Sequence, residues 1–181
     1  MNEELLLILT KIFPTFDPYT VERVKKSIIE TAKSSDCDVY LEQPTQQNIL
    51  QGDIFKNIEF ITYNVDGKPI KLKGDIMVIS NTCDISRNEN ILFIPFIPLE
   101  KLTRKINEND LKKNVIYNFF YIKEIENKIL DFDRIIHLPR KQLEKIKENR
   151  KFSLTQYGFY MLLIKLSVYL MRIESEEVKR N

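Results

Sequence analysis

The chain has 181 residues, of which 43% are hydrophobic and 30% charged, a composition that excludes a disordered chain and predicts one folding unit. Its 28 Lys and Arg residues nearly balance 26 Asp and Glu, so the net charge of +2 gives no reason to expect a nucleic-acid partner. The two cysteines, Cys37 and Cys83, are too far apart for a Cys-x-x-Cys metal site. Because the sequence has neither a secretory signal nor a long uncharged apolar segment, we expect a cytoplasmic protein with reduced thiols and no membrane span.

Residues 1–48 predict two short helices and a linker. Apolar residues recur at helical spacing before Pro14, and again between Val21 and Ala32 after a candidate N-cap at Thr20. Residues 35–48 sustain no period, which is typical of a linker.

Residues 49–138 predict a set of short strands. The first, 49–55, has Gly52 at its centre, and the second covers 58–63. The pair Asp66-Gly67 then predicts a tight hairpin into an edge strand at 69–73. Two apolar runs, 76–79 and 91–97, predict strands covered on both faces. A polar helix from Leu99, a loop at 107–110 and strands at 115–122 and 129–138 complete this core.

Residues 139–181 predict two helices packed on the core. The first begins at Pro139 and is mostly polar, whereas the second is capped by Ser153 with Gln156 at the reciprocal position. Its apolar residues cover much of the circumference, so it is buried on the sheet or lies at a dimer or hetero-complex interface. The fold class is therefore α+β: a small SH3-like barrel or strongly bent antiparallel sheet, with N-terminal helices and a long C-terminal helix.

The loop 81–90 is the first candidate binding surface, because it carries polar side chains between two buried strands and rigid scaffolds often present binding residues in this way. Asp53, directly after Gly52 in the first predicted strand, is predicted to join the same rim. Asp53 and Asp75 both follow a glycine and precede an isoleucine, and a structural role for the pair is the alternative, with each carboxylate bonded to backbone amides. The predicted surface consists of Asp53, Asn81, Thr82, Cys83, Asp84 and Arg87.

A second candidate surface is the basic run after Pro139, which can contact phosphates although Glu144 and Glu148 dilute it. Its members are Arg140, Lys141, Lys145, Lys147, Arg150 and Lys151.

Catalytic and metal sites are weaker hypotheses. Cys83 has only His137 as a candidate imidazole base, and the adjacent Asp84 disfavours a thiolate. Asp131 and Asp133 would share one strand face but lack a third ligand nearby. We therefore predict no metal and no cofactor.

Three segments carry a resemblance: GDIF at 52–55, IMVISN at 76–81 and LFIPFI at 92–97. Together they resemble small bacterial proteins with a Gly-Asp-Ile start and an Ile-Ser-x-x-Cys-Asp-Ile signature, which have no assigned activity and often occur in mobile or defence-associated gene clusters. They are more distantly similar to MazF/PemK-type toxins, which implies an SH3-like barrel. MazF-like ribonucleases have an Arg on the first long loop and a Thr or Ser after the Pro-containing strand. This chain has no Arg in 52–82 and no hydroxyl in Phe96-Ile97-Pro98.

The resemblance and the loop 81–90 together predict a non-catalytic binding or accessory component of a bacterial defence or toxin–antitoxin-type system. Its partner is predicted to be a protein from a neighbouring gene, or a second copy of the chain. The alternatives are a divergent MazF-like endoribonuclease, a nucleic-acid-binding module using residues 140–151, and a cysteine-dependent hydrolase.

Overall fold

A computed structural model describes residues 39–64 and 66–170, and the compact unit they belong to begins at Val39. These residues form a mixed α and β fold, in which an antiparallel sheet of eight strands that does not close is followed by a C-terminal helix. The predicted N-terminal helices and Cys37 lie outside the described residues, as does the part of the predicted C-terminal helix after residue 170. Among the helices within these ranges, none is long and apolar enough to cross a membrane.

The sheet has the strand order β1-β8-β2-β3-β4-β6-β5, and β7 also pairs with β4. The strands are β1 (Leu41–Glu42), β2 (Ile54–Tyr63), β3 (Pro69–Val78), β4 (Asn90–Pro98), β5 (Phe119–Phe120), β6 (Lys128–Asp131), β7 (Ile136–Pro139) and β8 (Arg150–Leu154). The helices are α1 (Thr82–Ile85), α2 (Glu100–Thr103), α3 (Glu108–Lys112), α4 (Arg140–Ile146) and α5 (Gln156–Leu170), and 3-10 turns cover Phe132–Arg134 and Lys147–Asn149.

The β2–β3 hairpin confirms the turn predicted at Asp66-Gly67, where Gly67 has φ 73° and the side chain of Asn64 accepts from the amides of Asp66 and Lys68. On each side of this turn the sequence predicts two strands, and the structure has one continuous strand in place of each pair. In β2 a bulge between Phe55 and Ile58 replaces the predicted break. Gly52 lies in the preceding turn rather than in a strand.

The central strand β4 pairs with β3 on one edge and with β6 and β7 on the other. Its alternate side chains enter two different apolar clusters, because Phe93 and Ile94 are both fully buried on opposite faces. This confirms the prediction that both faces of the strand are covered.

Three other predicted elements differ from the structure. The strand predicted at 129–138 is interrupted by the turn Phe132–Arg134, where the side chain of Asp131 accepts from the amide of Asp133. The strand predicted at 115–122 shortens to Phe119–Phe120, because Asn114 binds both backbone groups of Tyr121 and closes a turn. The loop predicted at 107–110 contributes to α3, which Asn107 caps.

The C-terminal segment also corrects the prediction. Residues 150–154 form β8, which pairs with β1 and β2, so β1 lies within the predicted linker and Ser153 is a strand residue rather than a cap. Thr155 caps α5 instead, since its hydroxyl accepts from the amide of Gly158. Gly158 faces the sheet, because a Cβ there would clash with the carbonyl oxygen of Tyr40 next to β1.

Candidate functional site

The loop after β3 presents most of the predicted binding residues to solvent. Asn81 accepts from the amide of Cys83 (3.0 Å) and caps α1, and the hydroxyl of Thr82 accepts from the amide of Gln51 (3.0 Å). Asn81, Thr82 and Cys83 are exposed, as is Arg87, and Asp84 is half-buried. The short helix α1 is thus fixed to its neighbours while these side chains remain accessible.

Asp53 lies inside the protein, not at the rim where it was predicted. Its carboxylate is fully buried and accepts from the amide of Leu50 (2.9 Å), the guanidinium of Arg150 (2.9 Å) and the hydroxyl of Ser153 (2.6 Å). Because the carboxylate is fully buried and already accepts from three donors, it is not accessible to an external ligand. Asp53 therefore joins the turn before β2 to β8.

Arg150 is likewise removed from the predicted basic surface. Only 11% of its side chain is exposed, and besides Asp53 it donates to the carbonyl oxygens of Gln46 and Asn48. A buried ion pair of this kind is tolerated when each charged group has its hydrogen bonds satisfied. In the described residues no buried side-chain polar atom lacks a partner.

The second Gly-Asp-Ile sequence has a comparable structural role. Asp75 accepts from the amide of Asn57 (3.1 Å), which sits in the β2 bulge at φ 63°, and from the ammonium of Lys128 (2.7 Å). Both carboxylates therefore bind a backbone amide and a cation supplied by a distant segment. The structural alternative for this repeated sequence is confirmed.

The two predicted surfaces meet at a recess between α1 and α4. The amide of Arg140 donates to the carbonyl of Glu89 (2.7 Å), and its guanidinium donates to the carbonyl of Ser86. These bonds hold the start of α4 against the loop after α1. The recess has a volume of about 270 Å³. Five polar side chains of this lining come from α1, from α4 and from the residue that directly follows each helix. We call them the α1–α4 face: Thr82, Ser86, Arg140, Glu144 and Lys147.

The predicted basic residues other than Arg150 are all accessible to solvent. Arg140, Lys141, Lys145, Lys147 and Lys151 are exposed, interspersed with exposed Glu144 and Glu148. The surface is therefore mixed in charge with a basic excess, rather than a continuous cationic stripe.

The candidate catalytic pairs are separated or engaged elsewhere. His137 lies on β7 opposite Leu92, whereas Cys83 is on α1, and within the described residues no hydrogen bond joins them. Asp131 accepts from Arg134, yet burial raises the pKa of its carboxyl group. Asp133 accepts from Asn118 and Tyr169. No cluster of metal-ligating side chains occurs in the described part of the chain.

Lys165 on α5 is a buried cation that the sequence did not single out. Its ammonium donates to the carbonyl oxygens of Asn114 and Ile116, and burial lowers its pKa from 10.5 to about 8. The signal that was available is Gly158 seven residues earlier, which marks the side of α5 that lies closest to the sheet.

No protein-family model matches the chain, and no curated protein matches it significantly. The similarity to MazF/PemK-type proteins over residues 49–98 therefore stays a prediction.

Proposed function

We propose that the chain is a cytoplasmic, non-catalytic binding component of a bacterial defence or toxin–antitoxin-type system, which recognises a protein partner through the α1–α4 face. In this proposal the bent β2-β3-β4-β7 sheet corresponds to the SH3-like barrel of MazF-type proteins. The antiparallel order of these four strands is compatible with that assignment.

One observation carries the proposal: two segments that are more than 50 residues apart in sequence line a single recess. Arg140 connects them by donating to Ser86, and side chains from both helices remain exposed around it. Polar and charged groups on rigid elements around a concavity are a common arrangement for recognition.

The ribonuclease alternative has less support. Cleavage of RNA benefits from a cation placed where charge develops on the phosphorus, and from a positioned base. The sequence has no Arg in 52–82, and His137 lies on β7 rather than at the α1–α4 face. The arrangement of the described side chains therefore favours binding over this chemistry.

The test is coexpression of the full chain with each product of the neighbouring genes, followed by affinity measurement on any complex. Charge reversal by Lys147→Glu, and separately by Glu144→Lys, is expected to weaken the complex roughly tenfold, because both side chains are exposed on this face. Lys101→Glu is the matched control, because Lys101 is exposed on α2 outside this face. Equal effects of all three changes, or cleavage of RNA by the purified chain, would contradict the proposal.

Nucleic acid is the second candidate, because five of the six predicted basic residues are exposed. Binding to phosphates would fall steeply with salt concentration, and the slope would decrease by about one for each contacting lysine removed. Measuring the salt dependence of RNA and DNA binding for Lys141→Glu and Lys145→Glu tests this reading. A flat salt dependence would exclude it.

A further inference from the structure

The recess beside the α1–α4 face has a third wall, which comes from the segment before β2. Gln47, Asn48 and Ile49 line it together with residues of the two helices. Ile49 is buried in the apolar cluster that also contains Ile85 and Leu143, whereas Gln47 and Asn48 are exposed. The wall therefore has an apolar base and an edge made of two uncharged amide side chains.

Neither a helix nor a strand fixes this wall. The backbone is irregular between the end of β1 at Glu42 and the start of β2 at Ile54, apart from a turn before β2. Among the hydrogen bonds between main-chain groups of residues 39–64 and 66–170, none involves residues 43–48. The position of the wall therefore depends on side chains from other parts of the chain.

Arg150 holds the wall from inside the protein. One of its terminal nitrogens donates to the carbonyl of Asn48 (2.7 Å) and to Asp53, and the other donates to the carbonyl of Gln46. The two carbonyl groups lie on either side of Gln47, so the guanidinium holds this stretch of three residues at both ends. A planar guanidinium has five donors in fixed directions, which allows it to bind several acceptors at once.

Asp53 fixes both the guanidinium and the other end of the wall. Its carboxylate accepts from Arg150 (2.9 Å) and from the amide of Leu50 (2.9 Å), which directly follows Ile49. It also accepts from the hydroxyl of Ser153 on β8 (2.6 Å), and β8 pairs with β2. Residues 46–50 are therefore attached to the sheet through one buried ion pair.

The three walls of the recess are also bonded to one another. The amide of Gln51, just after the third wall, donates to the hydroxyl of Thr82 on α1 (3.0 Å). Arg140 at the start of α4 donates to the carbonyl of Ser86, just after α1. Walls that are ordered before binding lower the entropic cost of recognition.

We propose that Arg150, held by Asp53, is a positioning residue for the recess, and that it places the amide side chains of Gln47 and Asn48 where they contact the partner. This inference rests on the proposed function, because it takes the recess as the binding site. Arg150 acts on recognition from inside the protein and does not touch the partner. Since amide side chains both donate and accept, the third wall recognises polar groups of the partner rather than its charge.

The first test is nitrogen-15 relaxation of the free full chain and of Arg150→Lys. A lysine ammonium keeps the charge pair with Asp53, but its single nitrogen does not replace the fork that binds Gln46 and Asn48. Backbone order parameters of residues 46–48 are expected to be about 0.85 in the wild type and below about 0.6 in the variant. Arg134→Lys is the matched control, because it makes the same substitution in an ion pair with Asp131 outside the recess.

The same samples separate positioning from a general loss of structure. Amide exchange at Ile54 and Phe152, which are paired between β2 and β8, is expected to change by no more than about threefold in Arg150→Lys. Unchanged order at residues 46–48 would overturn the proposal. An equal loosening of the wall and of the β2–β8 pair would also overturn it, because the role of Arg150 would then be structural only.

A second measurement needs no variant. In the wild type the two terminal nitrogens of Arg150 are expected to give separate NMR signals with slow proton exchange, because their bonds to Gln46, Asn48 and Asp53 restrict rotation of the guanidinium. The exposed Arg104 is the internal reference, with one averaged signal. An averaged signal for Arg150 would overturn the proposal.

Affinity measurement distinguishes failure of this inference from failure of the proposed function. For a complex obtained by coexpression, Arg150→Lys is expected to weaken binding roughly tenfold and Arg134→Lys by no more than about threefold. Unchanged affinity in Arg150→Lys, although residues 46–48 have become mobile, would overturn the positioning role. If coexpression yields no complex, the proposed function fails, and the relaxation data alone decide whether Arg150 orders the wall.

Discussion

Replacing Asp53 by alanine is expected to cause a large loss of stability, although Asp53 is buried and contributes no side chain to the α1–α4 face. The change removes the acceptor for the amide of Leu50 and the hydroxyl of Ser153, and leaves the guanidinium of Arg150 buried without its counter-ion. Breaking a buried ion pair by deleting one partner costs about 3–5 kcal/mol. For a domain whose total stability is about 5–15 kcal/mol, such a loss brings the chain close to unfolding.

The assay is urea unfolding of the full chain at pH 7, with Asp53→Ala, Arg150→Ala and the double variant in one cycle. The double variant is expected to be less destabilised than the sum of the single variants by about 1–3 kcal/mol, because the second change removes the charge that the first left unpaired. Glu59→Ala is the matched control, since it breaks an ion pair with Lys71 whose two side chains are largely exposed. The control is expected to show no measurable change.

Two results would refute this reasoning. If Asp53→Ala destabilises the chain no more than Glu59→Ala, burial of the pair has no energetic consequence. If the cycle is additive, the two groups do not interact, and the hydrogen bonds of Arg150 to Gln46 and Asn48 alone account for its role.

Three further predictions concern the backbone and one buried cation. Gly52→Ala is expected to lower the free energy of unfolding by about 2–4 kcal/mol, because Gly52 has φ 93° and a Cβ would stand 2.6 Å from the side chain of Leu154. Gly67→Ala, at φ 73°, meets open space and is expected to lower it by only about 1–2 kcal/mol. Denaturant unfolding compares the two variants, and equal losses would contradict the predicted clash with Leu154. Amide hydrogen exchange measured by NMR is expected to alternate along β2, because the amides of Glu59, Ile61 and Tyr63 point away from β3 and those of the residues between them donate to it. Exchange is expected to be fast at the first set and slow at the second. Uniform protection would contradict this register. Because the pKa of Lys165 is lowered, the unfolded chain binds more protons than the folded chain between pH 8 and 10.5. The free energy of unfolding of the wild type is therefore expected to rise across that pH range relative to that of Lys165→Met. Parallel pH profiles of the two proteins would contradict the burial of the ammonium.

Local sequence patterns predicted the strands better than they predicted the role of charged residues. Alternation and apolar runs located β2, β3 and β4, and the Asp-Gly pair located their hairpin, because these features depend on neighbours in sequence. Asp53 was misplaced because its partners Arg150 and Ser153 are 97 and 100 residues away. The local sequence does not distinguish a carboxylate that is exposed to water before a strand from one that is buried and paired with an arginine far away in the chain.

The end of the chain shows a second limit. Residues 150–154 carry no strong apolar alternation, and Ser153 with Gln156 matches a helix-capping pattern. Strand β8 forms nevertheless, because β1 and β2 offer it unpaired edges on both sides. Tertiary pairing thus overrides the local signal, and the helix begins two residues after its predicted start.

The convergence of α1 and α4 follows from one pairing that the sequence did not predict. Strand β4 begins at Asn90, immediately after the α1 loop, and β7 ends at Pro139, immediately before α4. Because β4 and β7 are antiparallel, with Asn90 opposite Pro139, both helices leave the sheet at the same end. The bond from Arg140 to Glu89 adds one more pair to this ladder. A shift of this register by one residue would turn the side chains of β7 to the other face and separate the two helices, so the α1–α4 face depends on the β4–β7 register as much as on its own side chains.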